Sequence, residues 1–92
     1  MSYALSVVKS LQRGTIAFSS GATNTATGTI SAVVMAKSLL IFGGSSGGQS
    51  SSTSTCKERV TLTNTTTVTA TSEPRDSNTY GTVVDYEVVE YY

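Results

Sequence analysis

The second half of the chain alternates apolar and hydroxyl side chains, and this alternation most constrains the fold. Residues 60–71 read VTLTNTTTVTAT, in which valine, leucine or alanine alternates with threonine on either side of Asn64. Successive side chains of a β-strand point to opposite faces, so the pattern predicts strands with one buried face. Asn64 and its neighbouring threonines are turn residues. We therefore predict a hairpin with strands over about residues 56–63 and 67–71.

Apolar and β-branched residues predict further strands over about residues 6–18, 25–33, 38–42 and 79–91. We expect a kink or bulge at Gly14, because a glycine inside a strand often marks one. The continuous apolar run 38–42 is typical of a strand buried on both faces. Such a strand is either central in its sheet or covered by a neighbouring subunit. A short link at 35–37 is predicted as one helical turn.

These elements predict an all-β fold, a small antiparallel β-sandwich of about six strands. Its 92 residues form a single domain, 1–92. Residues 43–55, GGSSGGQSSSTST, have the composition of a flexible loop, which can be displayed to a partner. A phosphate-binding loop needs a helix after the glycines, and no helix is predicted there.

Few large apolar side chains are available, and serine plus threonine make up about a third of the chain. A core this small leaves little stability, so a stabilising cross-link or partner is expected. Cys56 is the sole cysteine and histidine is absent, which excludes an internal disulfide and a zinc site. We predict a homo-oligomer, a closed ring that hides the strand edges. The Cys56 thiol is predicted as a small buried group, with an intersubunit disulfide as the alternative.

The last predicted strand has two apolar faces, which suggests that one packs on the core and the other against a subunit. Alternate positions on one face carry valine and tyrosine at 84, 86 and 88, and the other face carries Val83, Val89 and Tyr91. The residues predicted at the oligomer interface are Leu40, Phe42, Val88 and Tyr91.

Charge and hydropathy exclude several partner classes. Six basic and six acidic residues balance, so the chain has no electrostatic signature for nucleic acid. The longest apolar run is too short to insert into a membrane, and residues 1–11 lack the features of a secretory signal. We expect synthesis and folding in the cytoplasm, no cofactor and no metal.

The chemistry of catalysis is sparse. Without histidine, the serines have no base to activate them, so we predict that the chain is not an enzyme. Asp85 and Glu87 share a strand face about 7 Å apart. We expect that they form the solvated edge of the last strand or pair with lysine or arginine across it. The alternative is a catalytic carboxylate pair among Asp85, Glu87 and Glu90. In the turn at 72–78 and just after it, Arg75, Asn78 and Tyr80 are the predicted exposed contacts.

Three segments resemble a small β domain of tailed-bacteriophage virion proteins. They are VKSLQRGTI at 8–16, ISAVVMAKS at 30–38, and the closing strands VTLTNTTTVTAT at 60–71 with VVDYEVVEY at 83–91. The segments cover most of the chain in matching order, and each consists of ordinary strand and turn residues. The resemblance is to fibre, collar and decoration proteins, which are loosely similar to H-type lectin domains.

The resemblance implies a trimeric β-sandwich at the virion surface, in contact with other phage virion proteins. The chain opens at Met1 and carries the Gly/Ser segment, which favours a stand-alone structural subunit over the tip of a tail fibre. The alternative is a lectin-like module that recognises a host surface polysaccharide through its loops. No sugar-binding residues are transferred, because no lectin-site motif is matched.

Overall fold

The protein is described by a computed structural model that covers residues 7–47, 57–73, 75, 79 and 81–92. All of its strands lie in two three-stranded antiparallel sheets, which confirms the all-β prediction. Sheet A has the order β1–β6–β3 and sheet B has the order β2–β5–β4. The elements are β1 (Val8–Phe18), β2 (Thr25–Thr29), a 3-10 turn (Met35–Lys37), β3 (Ser38–Gly47), β4 (Lys57–Asn64), β5 (Thr67–Glu73) and β6 (Thr82–Tyr91).

The hydrophobic core is built by alternate residues of strands from both sheets. Sheet A supplies Ile16 and Phe18 from β1 and three residues of β6, while Val68 and Ala70 come from β5. The three β6 residues are Val84, Tyr86 and Val88, which alternation had placed on one face of the strand. Alternation did not predict which of the two apolar faces of β6 packs on the core. For each sheet, we call the face that contributes to this core the inner face and the opposite one the outer face.

The predicted hairpin is present as β4 and β5. The side-chain oxygen Oδ1 of Asn64 accepts hydrogen bonds from the Thr66 backbone N–H at 2.9 Å and from its hydroxyl at 3.2 Å. This is the local side-chain bonding by which asparagine favours turns. The helical turn predicted at 35–37 is also confirmed, as a 3-10 turn. It is the one helical element in the described ranges, so no described helix could cross a membrane.

The predicted kink at Gly14 is wrong. The irregularity in β1 lies between Val8 and Ser10, and Gly14 pairs regularly with Tyr86. A Cβ atom at Gly14 would lie 2.5 Å from the Tyr86 hydroxyl oxygen, and one at Gly28 would lie 3.0 Å from the same atom. Glycine is therefore present because the Tyr86 ring lies against the backbone, and not because the strand bends.

Strand β3 differs most from its prediction. It continues through Gly47, so residues 43–47 of the predicted loop are strand, and residues 48–55 lie outside the described ranges. A bulge between Phe42 and Gly44 allows the continuation, with Gly44 at φ +124°. β3 lies at the edge of sheet A and β6 is central. The prediction that run 38–42 is central is wrong, and its coverage by a neighbouring subunit stays a prediction.

Other strands are shorter than predicted. After β2 ends at Thr29, the chain is held by backbone bonds from Ile30 N–H to Thr66 O and from Val33 N–H to Thr65 O, each 2.9 Å. Both of these residues are buried in the core. This segment therefore packs on the hairpin turn without forming a ladder, which strand propensity alone does not distinguish.

Candidate functional site

Exposed apolar side chains in the described ranges lie on sheet A and the segments next to it. Each large apolar residue that remains exposed there belongs to a strand of sheet A or to a segment next to one. None lies on the described strands of sheet B. They are Val7, Val8, Leu11, Val34, Met35, Leu39, Ile41, Phe42, Val83, Tyr91 and Tyr92.

The outer face of sheet A carries an apolar patch across its three strands. Directly paired residues of neighbouring strands point to the same face. Leu11 of β1 and Leu39 of β3 both pair with Val89 of the central strand, and Ile41 lies two residues further along β3. Leu11, Leu39 and Ile41 are 48%, 50% and 40% exposed. We call these four residues the apolar patch.

Beside the apolar patch, the same face is polar. Arg13 Nε lies 3.1 Å from Glu87 Oε1, and both side chains are partly open to water. A shallow groove follows, lined by these two residues and by Thr15, Gly43 and Asp85. The prediction that the β6 carboxylates pair with a cation is confirmed for Glu87. An exposed pair of this kind contributes about 0–1 kcal/mol, so it marks the surface more than it stabilises the fold.

The outer face of sheet B consists mostly of threonines. Thr27, Thr69 and Thr61 form a row across its three strands, and threonines occupy most of the neighbouring positions. Beyond them lie the charged residues Lys57, Arg59 and Glu73. This face is compatible with water, whereas the outer face of sheet A exposes apolar area. The outer face of sheet B is therefore suited to contact with water, and the outer face of sheet A is suited to contact with a partner.

The predicted interface residues fall into two groups. Val88 is 0% exposed in the core, so its assignment to an interface surface is wrong, because the protomer itself fills the space around it. Leu40 is partly buried against the core, and its role in an interface stays a prediction. Phe42 and Tyr91 are 43% and 37% exposed, and their role in an interface stays a prediction.

The residues that the sequence analysis missed are Leu11, Leu39 and Ile41. A strand alternation shows which residues share a face, but not which strands lie side by side. Only the pairing of β1 and β3 with β6 brings these three leucine and isoleucine side chains to Val89. The available signal was the alternation within β3, which places Leu39 and Ile41 on the same face of that strand.

Arg75 is not the exposed contact that we predicted. Its guanidinium lies 5.2 Å from the centre of the Phe18 ring. It donates hydrogen bonds of 2.7–3.2 Å to the carbonyl oxygens of Ser19 and Gly21 and to the hydroxyls of Ser72 and Thr82. Arg75 therefore ties the 19–21 turn to strands of both sheets. The two companions in that prediction, Asn78 and Tyr80, lie outside the described residues.

Glu90 is a buried carboxylate at one end of sheet A. It is 4% exposed and accepts a hydrogen bond of 2.8 Å from the Val34 backbone N–H and one of 3.2 Å from the Ser10 hydroxyl. The bond from Val34 is the main reason that the pKa of Glu90 lies below its ordinary value of 4.5, although burial opposes the shift. Lys9 and Lys37 add to the lowering. Glu90 thus anchors the segment before the 3-10 turn, and no catalytic role is needed to explain it.

Acid should destabilise the fold through Glu90. Because its pKa is lower in the folded chain than in the unfolded chain, the carboxylate stabilises the fold fully at pH values above its ordinary pKa of 4.5. This contribution is lost as the pH falls through the lower folded pKa. Urea unfolding between pH 7 and pH 2.5 should show the loss, and Glu90→Gln should flatten it. Glu87→Gln, on the outer face, is the matched control and should keep the acid dependence; an unchanged profile for Glu90→Gln contradicts the assignment.

The described ranges contain no group of three or more histidine, cysteine, aspartate or glutamate side chains that could hold a metal ion. Cys56 lies outside those ranges. The chain matches no family model, no curated protein and no solved structure.

Proposed function

We propose that the chain is a structural subunit of a tailed-bacteriophage virion, which acts by assembling with copies of itself and with other virion proteins. The observation that supports this proposal is that, among the described residues, the exposed large apolar side chains all belong to sheet A or to segments next to it. Contiguous exposed apolar area is uncommon on monomeric proteins and usually marks a surface that a partner covers. The three segments that resemble virion proteins suggest which kind of particle the assembly belongs to.

The size of the outer face agrees with a protein partner. Three strands about 4.8 Å apart and about ten residues long cover roughly 14 by 33 Å in projection. Side chains that stand on this area raise its accessible surface toward the roughly 800 Å² per partner of a stable interface. The exposed aromatic residue Tyr91, which lies on the same face as Val89, extends the contact at its margin. A small ligand would leave most of this area in water.

We also propose that the two sheets form a β-sandwich and that three copies close into a ring at the virion surface. The core of one protomer is small for 92 residues, so burial between copies adds stability that the single chain lacks. A closed arrangement also hides strand edges, which otherwise invite aggregation. With the outer faces of sheet A turned inward, the threonine faces of sheet B remain in contact with water.

The mass of the purified protein in solution should be that of a trimer. Light scattering over a dilution series measures it. Leu39→Lys places a charge in the apolar patch and should give a folded monomer, because Leu39 is half exposed in the protomer. Thr27→Lys on the outer face of sheet B is the matched control and should remain trimeric. A wild-type monomer at every concentration, or a Leu39→Lys trimer, would contradict self-assembly through this face.

The virion role is tested on particles. Quantitative mass spectrometry of purified phage that encodes this chain should detect it in a fixed ratio to the major capsid protein. Hundreds of copies indicate capsid decoration, and a few to a few dozen indicate a collar or fibre. Its absence from the particles would overturn the proposal.

A further inference from the structure

The four edge strands of the two sheets are protected to different degrees. Natural edge strands carry charges or stay short, because an open edge can pair with another chain. β1 carries Lys9 and Arg13, β4 carries three charged residues in succession, and β2 has only five residues. β3 has ten residues and contains no charged residue and no proline. Within the described strands, it is the edge least protected against pairing.

The side chains along β3 also favour a partner strand. Leu39, Ile41 and Phe42 are exposed on β3, which pairs with β6 on one side. No described strand pairs with its other side. Within the described ranges, no strand uses the backbone donors and acceptors on that side, and a further strand that paired with them would bury the apolar side chains next to them.

We propose that the free edge of β3 binds β1 of a second copy of this chain, so that sheets A of three copies join into one closed ring of nine strands. This inference rests on the proposed self-assembly and adds the strands through which it occurs. β1 and β3 are both antiparallel to β6, so they run in the same direction. In a ring of copies with parallel strand axes, the junction between β3 and the next β1 is a parallel pair.

The apolar patch decides between β1 and β3 as the partner strand. Pairing of β3 with β3 of a second copy would make an open six-stranded sheet. Its apolar patches would still face water, and both β1 edges would stay free. Pairing of β3 with β1 uses both edges of every sheet A and repeats until the ring closes. The ring encloses the outer faces, and the uncharged β3 places no like charge against Lys9 or Arg13.

The width of the ring favours three copies. In closed barrels, about eight strands give an interior that side chains just fill. Two copies would supply six strands, which is too few, and three copies supply nine. Inside the ring, Glu87 keeps its ion pair with Arg13. The groove that Gly43 and Asp85 line would have to hold water inside the ring, so that the Asp85 carboxylate stays solvated.

Cysteine cross-linking tests the junction. In a Cys56→Ser background, Ile41→Cys on β3 is combined in turn with Leu11→Cys or Thr15→Cys on β1, because a disulfide forms only when Cβ atoms lie about 3.5–4.5 Å apart. At least one combination should oxidise to a ladder of covalent dimers and trimers on a denaturing gel, and each single variant should stay monomeric there. Leu39→Cys replaces Ile41→Cys if circular dichroism shows that the first variant is unfolded. Ile41→Cys with Thr27→Cys is the control and should give no ladder.

The outcomes separate this inference from the proposed function. A wild-type trimer by light scattering with no ladder in any combination overturns the β3–β1 junction and leaves self-assembly in place. Covalent dimers from Ile41→Cys alone overturn it in favour of a β3–β3 pair. A wild-type protein that is monomeric by light scattering contradicts both the β3–β1 junction and the proposed self-assembly. A ladder that ends at the covalent trimer supports the junction and the number of copies together.

Discussion

Replacing Tyr86 with alanine is expected to destabilise the fold by about 3–5 kcal/mol, the cost of removing a large aromatic side chain from a core. Tyr86 lies on the central strand of sheet A and is 5% exposed. Its ring extends along Gly14 of β1 toward Gly28 of β2. Neither glycine has a side chain that could fill the space, so the cavity would stay open. Because a domain of this length has a free energy of unfolding of about 5–14 kcal/mol, the loss is a large fraction of the total.

Urea unfolding followed by circular dichroism measures the effect. Tyr86→Phe is the matched control, because it keeps the ring and no described residue forms a hydrogen bond with the hydroxyl. It should change the free energy of unfolding by less than about 1 kcal/mol. If Tyr86→Ala lowered the free energy of unfolding no more than Tyr86→Phe does, the packing of the Tyr86 ring against Gly14 of β1 and Gly28 of β2 would not stabilise the core.

Arg75→Lys is expected to cost about 2–3 kcal/mol although it keeps the positive charge. The planar guanidinium donates hydrogen bonds to four groups at once, and a lysine ammonium cannot reproduce that geometry. Two of those groups are the hydroxyls of Ser72 and Thr82, residues that are 0% and 1% exposed; the Ser72 hydroxyl also donates a bond of 3.1 Å to Glu58 Oε2, so Thr82 is the group left without this partner. A buried polar group that loses its partner costs about 1–3 kcal/mol. Partial exposure of Arg75 keeps the expected loss below the sum of its bonds.

Thermal unfolding of Arg75→Lys and of Arg59→Lys makes this comparison. Arg59 lies on the outer face of sheet B, opposite Thr71, so its replacement should change stability by no more than about 0.5 kcal/mol. Equal melting temperatures for the two variants would show that the network around Arg75 does not hold the 19–21 turn in place.

Local patterns predicted the parts of the fold whose partners are close in sequence. The alternation at 60–71 and Asn64 were sufficient for the β4–β5 hairpin, because the turn residue bonds its own neighbours. The alternation along β6 was sufficient to group Val84, Tyr86 and Val88 on one face, but not to say which face packs on the core. In both cases, the predicted feature lies within one strand or one hairpin.

The missed features depend on contacts between distant segments. Residues 43–47 have the composition of a linker, yet Ser45 pairs with Val84 and its hydroxyl donates a bond of 2.7 Å to Glu58 of β4. Tertiary pairing therefore overrides the weak strand propensity of glycine and serine. The role of Arg75 is likewise set by groups more than 50 residues away, at Ser19 and Gly21. The residue types in the 72–78 turn do not indicate that Arg75 bonds to Ser19 and Gly21.

The apolar patch on the outer face of sheet A also depends on contacts between distant segments. Periodicity indicated that β6 has two apolar faces, but the strand order of sheet A was needed to find the residues beside Val89. A sequence-based choice therefore selected Val88, whose neighbours lie in the core, and omitted Leu11 and Leu39. Knowing which strand is central is a question of topology, and side-chain alternation does not encode it.

The strand order of sheet A also has a consequence for how the chain folds during synthesis. Of the six described strands, β6 is translated last, and both β1 and β3 pair with it and not with each other. While the ribosome is still translating the segments before β6, these two strands have no partner in sheet A. Pairing between Phe18 and Thr82, or Val8 and Tyr91, must also close long stretches of chain, which makes folding slow. The nascent chain therefore keeps its apolar strands unpaired until translation reaches β6, and chaperones have that interval in which to bind them.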